Sequence, residues 1–251
     1  MNKPLTGKVA LVTGGSRGLG AATVRLLAEQ GADVAFTYVS SEKKAQAVVD
    51  EVRARGAKVA AFKSDQADLS QAPALIDDVV AHFGGLDILV NNAAISVGQG
   101  RTVDDPDADT ASLDRMHATN YLGVIAVIRA ASRVLREGGR VITVSSGLGT
   151  RAGIPGVADY AATKAGVERY TMGVARDLGS RAITANVVEA GLMEGGMEPP
   201  DPETLKPLLG SLSLQRKGHP DEIAAAIAFL ASPAASYVTG AVLDAHGGYN
   251  A

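Results

Sequence analysis

The chain has no cysteine, which excludes disulfides and thiolate metal sites. Histidine is scarce: the four residues His82, His117, His219 and His246 are scattered without ligand spacing, so no catalytic metal is expected. Charge of one sign is lacking too. The net charge is −3, and no basic field exists to hold nucleic acid. No apolar run approaches a membrane span. The first residues, Met1-Asn2-Lys3-Pro4-Leu5-Thr6, contain no apolar signal segment, so a cytoplasmic protein is the expectation.

What is present is ordinary in bulk and specific in order. With 251 residues, 46% hydrophobic and 20% charged, the chain suits one large α/β domain over residues 1–251. The opening stretch organises the rest. Val9-Ala10-Leu11-Val12 runs into Thr13-Gly14-Gly15-Ser16-Arg17-Gly18-Leu19-Gly20, and a helical pattern follows with Leu19, Thr23, Leu26 and Leu27 on one face. Strand, glycine turn and helix in that order are the context a dinucleotide-binding fingerprint requires; elsewhere such glycines mark an ordinary α/β turn. The glycines let a phosphate approach bare backbone. The new helix points unpaired N–H groups and its positive dipole end at that phosphate.

Short apolar runs recur at Asp33–Tyr38, Lys58–Phe62, Leu86–Asn91, Arg140–Ser145, Ile183–Val188 and Ala241–Ala245. Helical patterns near 42–55, 71–83, 112–137 and 159–179 lie between them, and a last helix starts near Pro220. This βαβα order predicts a single doubly wound (Rossmann) α/β domain with a mostly seven-stranded parallel sheet. Ligands of such sheets lie beyond the carboxyl ends of the strands. Two segments break the rhythm. Residues 96–111 are polar, with Gly98, Gly100 and several Asp, and read as a binding loop or a solvated insertion. Residues 190–213, with Pro199, Pro200, Pro202 and Pro207, follow the sixth strand and read as an irregular substrate lid.

Tyr160 and Lys164 are one helical turn apart, so both side chains share a face. A neighbouring ammonium stabilises a phenolate, and such a tyrosine makes a general acid for a carbonyl oxygen. Ser145-Ser146 ends the fifth strand, where a hydroxyl could hold that carbonyl. Asn91-Asn92-Ala93-Ala94 ends the fourth, and Asn120 lies in the helix that follows. Each has a purely structural reading as turn cap, loop brace or surface pair. Several, however, fall where a doubly wound sheet places its ligand.

These residues together resemble the short-chain dehydrogenase/reductase family, in the roughly 250-residue type that includes 3-oxoacyl-ACP reductases. The match covers essentially the whole chain. It rests on Thr13–Gly20, Asp65, Asn91–Ala94, Asn120, Ser146, Tyr160, Lys164 and the ending Tyr237–Gly240 through Asp244, Gly247 and Gly248. The resemblance implies that Tyr160 is the proton donor and that Ser146 orients the carbonyl. Lys164 would lower the tyrosine's pKa and bind the nicotinamide ribose. Asn120 would hold a water that relays protons from Lys164. Asp65 would contact adenine, Asn92 would lie along the adenosine ribose, and Asn91 would brace the sheet. The implied cofactor set also includes Gly14, Ser16, Arg17, Gly18, Leu19 and Gly20 of the turn. Tyr38, Ser40, Ser41, Gln66, Ala93, Gly191 and Met193 complete it, beside Tyr160 and Lys164. A homotetramer or dimer built on the helices at 112–137 and 159–179 is implied as well, with Ala161, Ala162, Ala165 and Gly166 permitting close approach.

The second strand ends Thr37-Tyr38-Val39-Ser40-Ser41 with no acid before Glu42, while Arg17 stands in the glycine turn. Arginine and hydroxyls suit a 2′-phosphate, so NADP(H) is expected. The family's Pro-Gly after the sixth strand and its later threonine are replaced here by Ala190-Gly191 and Gly195. A contact to the nicotinamide carboxamide is thereby lost, and the lid is looser. Glu189 and Glu194 read as solvated carboxylates. The expectation is an NADP(H)-dependent ketoreductase or secondary alcohol dehydrogenase acting on a small molecule, without nucleic-acid or membrane partners. The alternatives are a 3-oxoacyl-ACP or CoA reductase, for which Arg129, Arg133 and Arg136 could form a basic helix face, and a non-catalytic NADP(H)-binding regulator.

Overall fold

A computed structural model of the chain describes residues 3–97, 100–197 and 202–251. Gly98, Pro199 and Pro200 lie outside the described residues, as do Met1 and Asn2. Seven parallel strands form one sheet in the order β3-β2-β1-β4-β5-β6-β7. They are β1 (Val9–Val12), β2 (Asp33–Tyr38), β3 (Val59–Lys63), β4 (Leu86–Asn91), β5 (Leu135–Ser146), β6 (Thr184–Ala190) and β7 (Val242–Ala245). The chain order reverses between β1 and β4, so a crevice opens beyond their carboxyl ends, where such sheets take their ligands.

Helices cover both faces. On one side lie α1 (Gly18–Glu29), α2 (Glu42–Ala54) and α9 (Pro220–Ala231), packed on β-strand residues such as Phe36 and Val90 through Val24, Leu27, Val48, Val52, Ile223 and Ile227. On the other lie α3 (Gln71–Phe83), α5 (Gly123–Ser132) and α7 (Ala158–Leu178), packed through Ile76, Val79, Val124, Ile128, Val167 and Val174. Each fully buried Val, Leu or Ile contributes about 1.5–3 kcal/mol. The strands are therefore apolar almost throughout: β1 and β4 are buried at every position. Helix ends follow local chemistry. Gly84 stops α3 in the left-handed region at φ 80°, and His219 with Glu222 forms a capping box on α9.

Two expectations need correction. The helix expected over 112–137 is three pieces: α4 (Thr110–His117), a π-helical turn (Ala118–Leu122) and α5. The chain leaves the helix at Ser132, and Leu135 already pairs with Leu86 of β4. Arg129, Arg133 and Arg136 therefore share no helix face. Arg136 is on β5, ion-paired to Asp87 at 3.0 Å, at the end of the sheet opposite the crevice. The segment 190–213 is also not wholly irregular, for it contains α8 (Pro202–Gly210), which opens on a proline as helices tolerate.

Candidate active site

The turn after β1 is closed by contacts that leave no room for side chains. Gly14 has φ 70°, and a Cβ there would stand 3.0 Å from the Ala93 backbone. A Cβ on Gly20 would collide with the Gly14 carbonyl and approach Asn92 Nδ2 to 2.7 Å. Gly14 N donates to Thr37 Oγ1 at 3.0 Å and Gly15 N to Thr37 O at 2.9 Å, tying the turn to β2. Asn92 Nδ2 donates to Thr13 O at 2.9 Å and Gly14 O at 3.2 Å, and Thr13 Oγ1 accepts from the Asn92 and Ala93 amides at 3.0 Å each. Asn92 thus braces the turn from β4, while Asn91 Nδ2 reaches Thr143 Oγ1 of β5 at 3.4 Å. Thr13 and Thr37 were not singled out from the sequence. Thr37 has no local signal, because only the β1–β2 register brings it under Gly14.

This turn fits a dinucleotide. Helix α1 starts after Arg17, with no side-chain cap and no acid in its first turn, so its end presents N–H groups and positive potential. Ser16 and Leu19 flank Gly18, whose added Cβ would meet only the Gly195 carbonyl, at 3.7 Å. Arg17 is exposed. At the end of β2, Ser40 is exposed, and Ser41 occupies the N-cap of α2 without a side-chain cap bond. Tyr38 is half-buried beside them. No acid precedes Glu42, so a 2′-phosphate meets no repulsion from this strand end.

Around the crevice, Gln66 Nε2 donates to Ala93 O at 3.0 Å and Thr119 O at 2.7 Å. The Asp65 carboxylate accepts from Ala67 N at 3.0 Å and pairs with Arg115 at 2.8 Å. Gly191 lies so close to the chain after β7 that a Cβ would stand 2.5 Å from His246 Cα. Met193 bridges to Gly218. Gly195 has φ 63°, a conformation in which threonine is strained.

Ser146 ends β5 and Tyr160 and Lys164 lie on α7. Ser146 Oγ accepts from Leu148 N at 3.3 Å and hydrogen-bonds the Tyr160 hydroxyl. Burial pushes Tyr160 up to about 12, against the pull of Ser146. Lys164 Nζ stands 5.6 Å from the Tyr160 ring centroid and donates to Val144 O at 3.0 Å. Burial holds this lysine down at about 8, with Glu168 opposing. Asn120 is 1% exposed within the π-helical turn. Its Oδ1 accepts from Ile95 N and its Nδ2 donates to Ile95 O, both at 2.8 Å.

Glu189, expected to be solvated, is 0% exposed, whereas Glu194 is exposed. Topology decides this: Glu189 pairs with Ser145 of β5 on one side and Asp244 of β7 on the other. Glu168 also escaped the sequence reading, although it continues the Tyr160–Lys164 stripe by one more turn. Among the described residues Glu189, Asp244 and His246 bring ligand-type atoms within 4.8 Å of one another. His246 Nδ1 accepts from Tyr249 N at 3.1 Å, which leaves the ring proton on Nε2. That nitrogen faces the carboxylates as a donor rather than as a metal ligand.

A family described as Enoyl-(Acyl carrier protein) reductase matches residues 14–250. The 3-oxoacyl-[acyl-carrier-protein] reductase FabG of Staphylococcus aureus is 41% identical over 246 residues, covering 96% of this chain and 97% of that protein. A blue fluorescent protein from a metagenomic library, solved in complex with NADPH, is 43% identical with TM-score 0.94, covering 99% of this chain and all of the other. A short chain dehydrogenase from Burkholderia cenocepacia, solved with NADP, is 42% identical with TM-score 0.93 and 99% coverage of this chain, 100% of that one.

Proposed function

The chain belongs to the short-chain dehydrogenase/reductase family, and from that premise we propose an NADP(H)-dependent oxidoreductase that interconverts a ketone and a secondary alcohol. One observation carries the reading: the Ser146–Tyr160 hydrogen bond, with Lys164 Nζ 5.6 Å from the tyrosine ring, at the carboxyl end of the sheet. When bound, NADP(H) supplies or accepts the hydride and, oxidised, adds a positive charge to the site. The glycine turn and the start of α1 would hold its phosphates, and Arg17, Ser40 and Ser41 its 2′-phosphate.

The chain's own residues handle the proton. Tyr160, protonated at neutral pH, gives its hydroxyl proton to the carbonyl oxygen in reduction and recovers it from the alcohol in oxidation. Ser146 donates to the same oxygen and fixes its position. Lys164, charged below pH about 8, favours the phenolate left behind. Both ends of the Asn120 amide serve Ile95, so we assign any relay water to the Asn120 main-chain carbonyl. Asp65, tied to Arg115, would form a wall for adenine, and Gly191 and Met193 would border the nicotinamide side.

The S. aureus relative favours a second reading, a 3-oxoacyl-thioester reductase. The dispersed arginines offer no carrier-protein platform near the crevice. No described helix is long and apolar enough to cross a membrane, and a cytoplasmic location fits the family. The assembly is proposed as a homotetramer or dimer. Phe229 at 45% and Tyr237 at 101% exposure support a partner surface, whereas Gly166, meant for such an interface, packs on the chain's own Tyr121. A monomer in sedimentation would overturn that assembly.

Oxidation of NADPH with a panel of ketones and 3-oxoacyl thioesters tests the function. Tyr160→Phe should lower kcat by about 10²–10⁴-fold while sparing cofactor binding. Full turnover in that variant would reject the mechanism, and a higher kcat/KM with NADH would reject the cofactor.

A further inference from the structure

The carboxyl end of β5 rests on two acids that this chemistry does not use. Glu168 on α7 is 1% exposed and Glu189 on β6 is 0% exposed. Their carboxyl groups are hydrogen-bonded to each other. Such a bond requires a proton on one of them, because ionised carboxylates only accept. The remaining oxygens are engaged. Ser145 Oγ donates to Glu168 Oε1 at 2.5 Å, and a Cβ on Gly149 would strike that oxygen. Thr150 Oγ1 donates to Glu189 Oε1 at 2.5 Å, and Asn250 Nδ2 donates to its Oε2 at 3.1 Å. The pair therefore underlies both flanks of Ser146, with Ser145 before it and Gly149-Thr150 after it.

We propose that Glu168 and Glu189 share one proton as a positioning pair, holding the Ser146–Thr150 turn in place for turnover. This rests on Ser146 serving the reaction proposed above. The charged and titratable groups facing the pair are Lys164 and Arg169 on α7, His246 after β7, 3.6 Å from Glu189, and Asp244 on β7 behind it. Burial raises Glu168 from 4.5 to about 7; Ser145 opposes this and Glu189 adds to it. The shared proton is thus kept in mild acid and lost as pH rises through about 7. Two carboxylates then face each other away from water and repel.

The test is kcat and KM against pH from 6 to 9 for wild type, Glu189→Gln and Glu189→Ala, with Tyr160→Phe as reference. Wild-type kcat should fall several-fold across that range at nearly constant KM. In Glu189→Gln, whose amide supplies the bridging hydrogen permanently, the fall should flatten to under twofold. Glu189→Ala should lose about tenfold in kcat at every pH, most of it restored by Gln. Superimposable profiles for wild type and Glu189→Gln would overturn the pair. If a variant does not fold, carbon-detected NMR titration of labelled glutamates in the wild type decides. A protonated buried carboxyl at pH 6.5 supports the pair, and two ionised ones sink it. Full turnover in Tyr160→Phe would sink the reaction assignment instead, leaving the carboxyl titration to judge the pair.

Discussion

The two turns that flank the crevice are held by opposite means. The turn after β1 is fixed by backbone: glycines in close contact, main-chain bonds to Thr37 and an amide brace from Asn92. No titratable group takes part. The turn after β5 is fixed by side chains, and two of them are buried acids one turn beyond a buried lysine. The first turn should ignore pH and respond sharply to added volume. The second should tolerate volume better and respond to protons.

Gly20→Ala breaks the comparison on the first side and carries the largest expected effect. Its methyl would collide with the Gly14 carbonyl, which is backbone and cannot swing away. Overpacking of this kind costs about 1–3 kcal/mol. Thermal melts should show that loss equally at pH 6 and pH 9, together with weakened NADPH binding. A pH-dependent loss would contradict the contrast.

Lys164→Met sharpens the second side. The lysine is held at about 8 in the fold against an ordinary 10.5, so below pH 8 its charge must be carried at a desolvation cost. That cost fades as pH rises from 8 toward 10.5. The variant should therefore lose turnover yet gain stability, by roughly 1–3 kcal/mol below pH 8, with the gain vanishing near pH 10.5. Calorimetry across that range checks it, and an equal or reversed difference would refute the sign.

Gly195→Thr probes the lid over the first turn and carries the smallest effect. A restored hydroxyl contact would be worth about 0.5–1.5 kcal/mol, but threonine is strained at the φ of 63° found here. NADPH affinity should stay level or fall slightly by fluorescence titration. A tenfold gain would mean the lid rearranges freely.

Much of this was legible in the chain. The bounds of β2, β4 and α3 follow from their apolar runs and periodicity, and the glycine turn announces itself by its context. The Tyr160–Lys164 stripe needs only helical spacing. The failures share a cause. Arg133–Glu137 contains helix-compatible residues, yet pairing of Leu135 with Leu86 overrides that local preference. Glu189 looks solvated in isolation, yet two flanking strands bury it. Asn92 reads as a ligand residue, yet its amide nitrogen is spent on the turn beside it.

The sequence by itself determined the order of strands and helices, the backbone freedom of the glycine turn and the chemical identity of the Ser146, Tyr160 and Lys164 groups, because these depend on neighbours within a few residues. Tertiary structure alone decided which polar atoms are satisfied, which carboxyls lose water and which arginines face the site. Those outcomes depend on strand register across the sheet, and register is set by contacts between residues far apart in the chain.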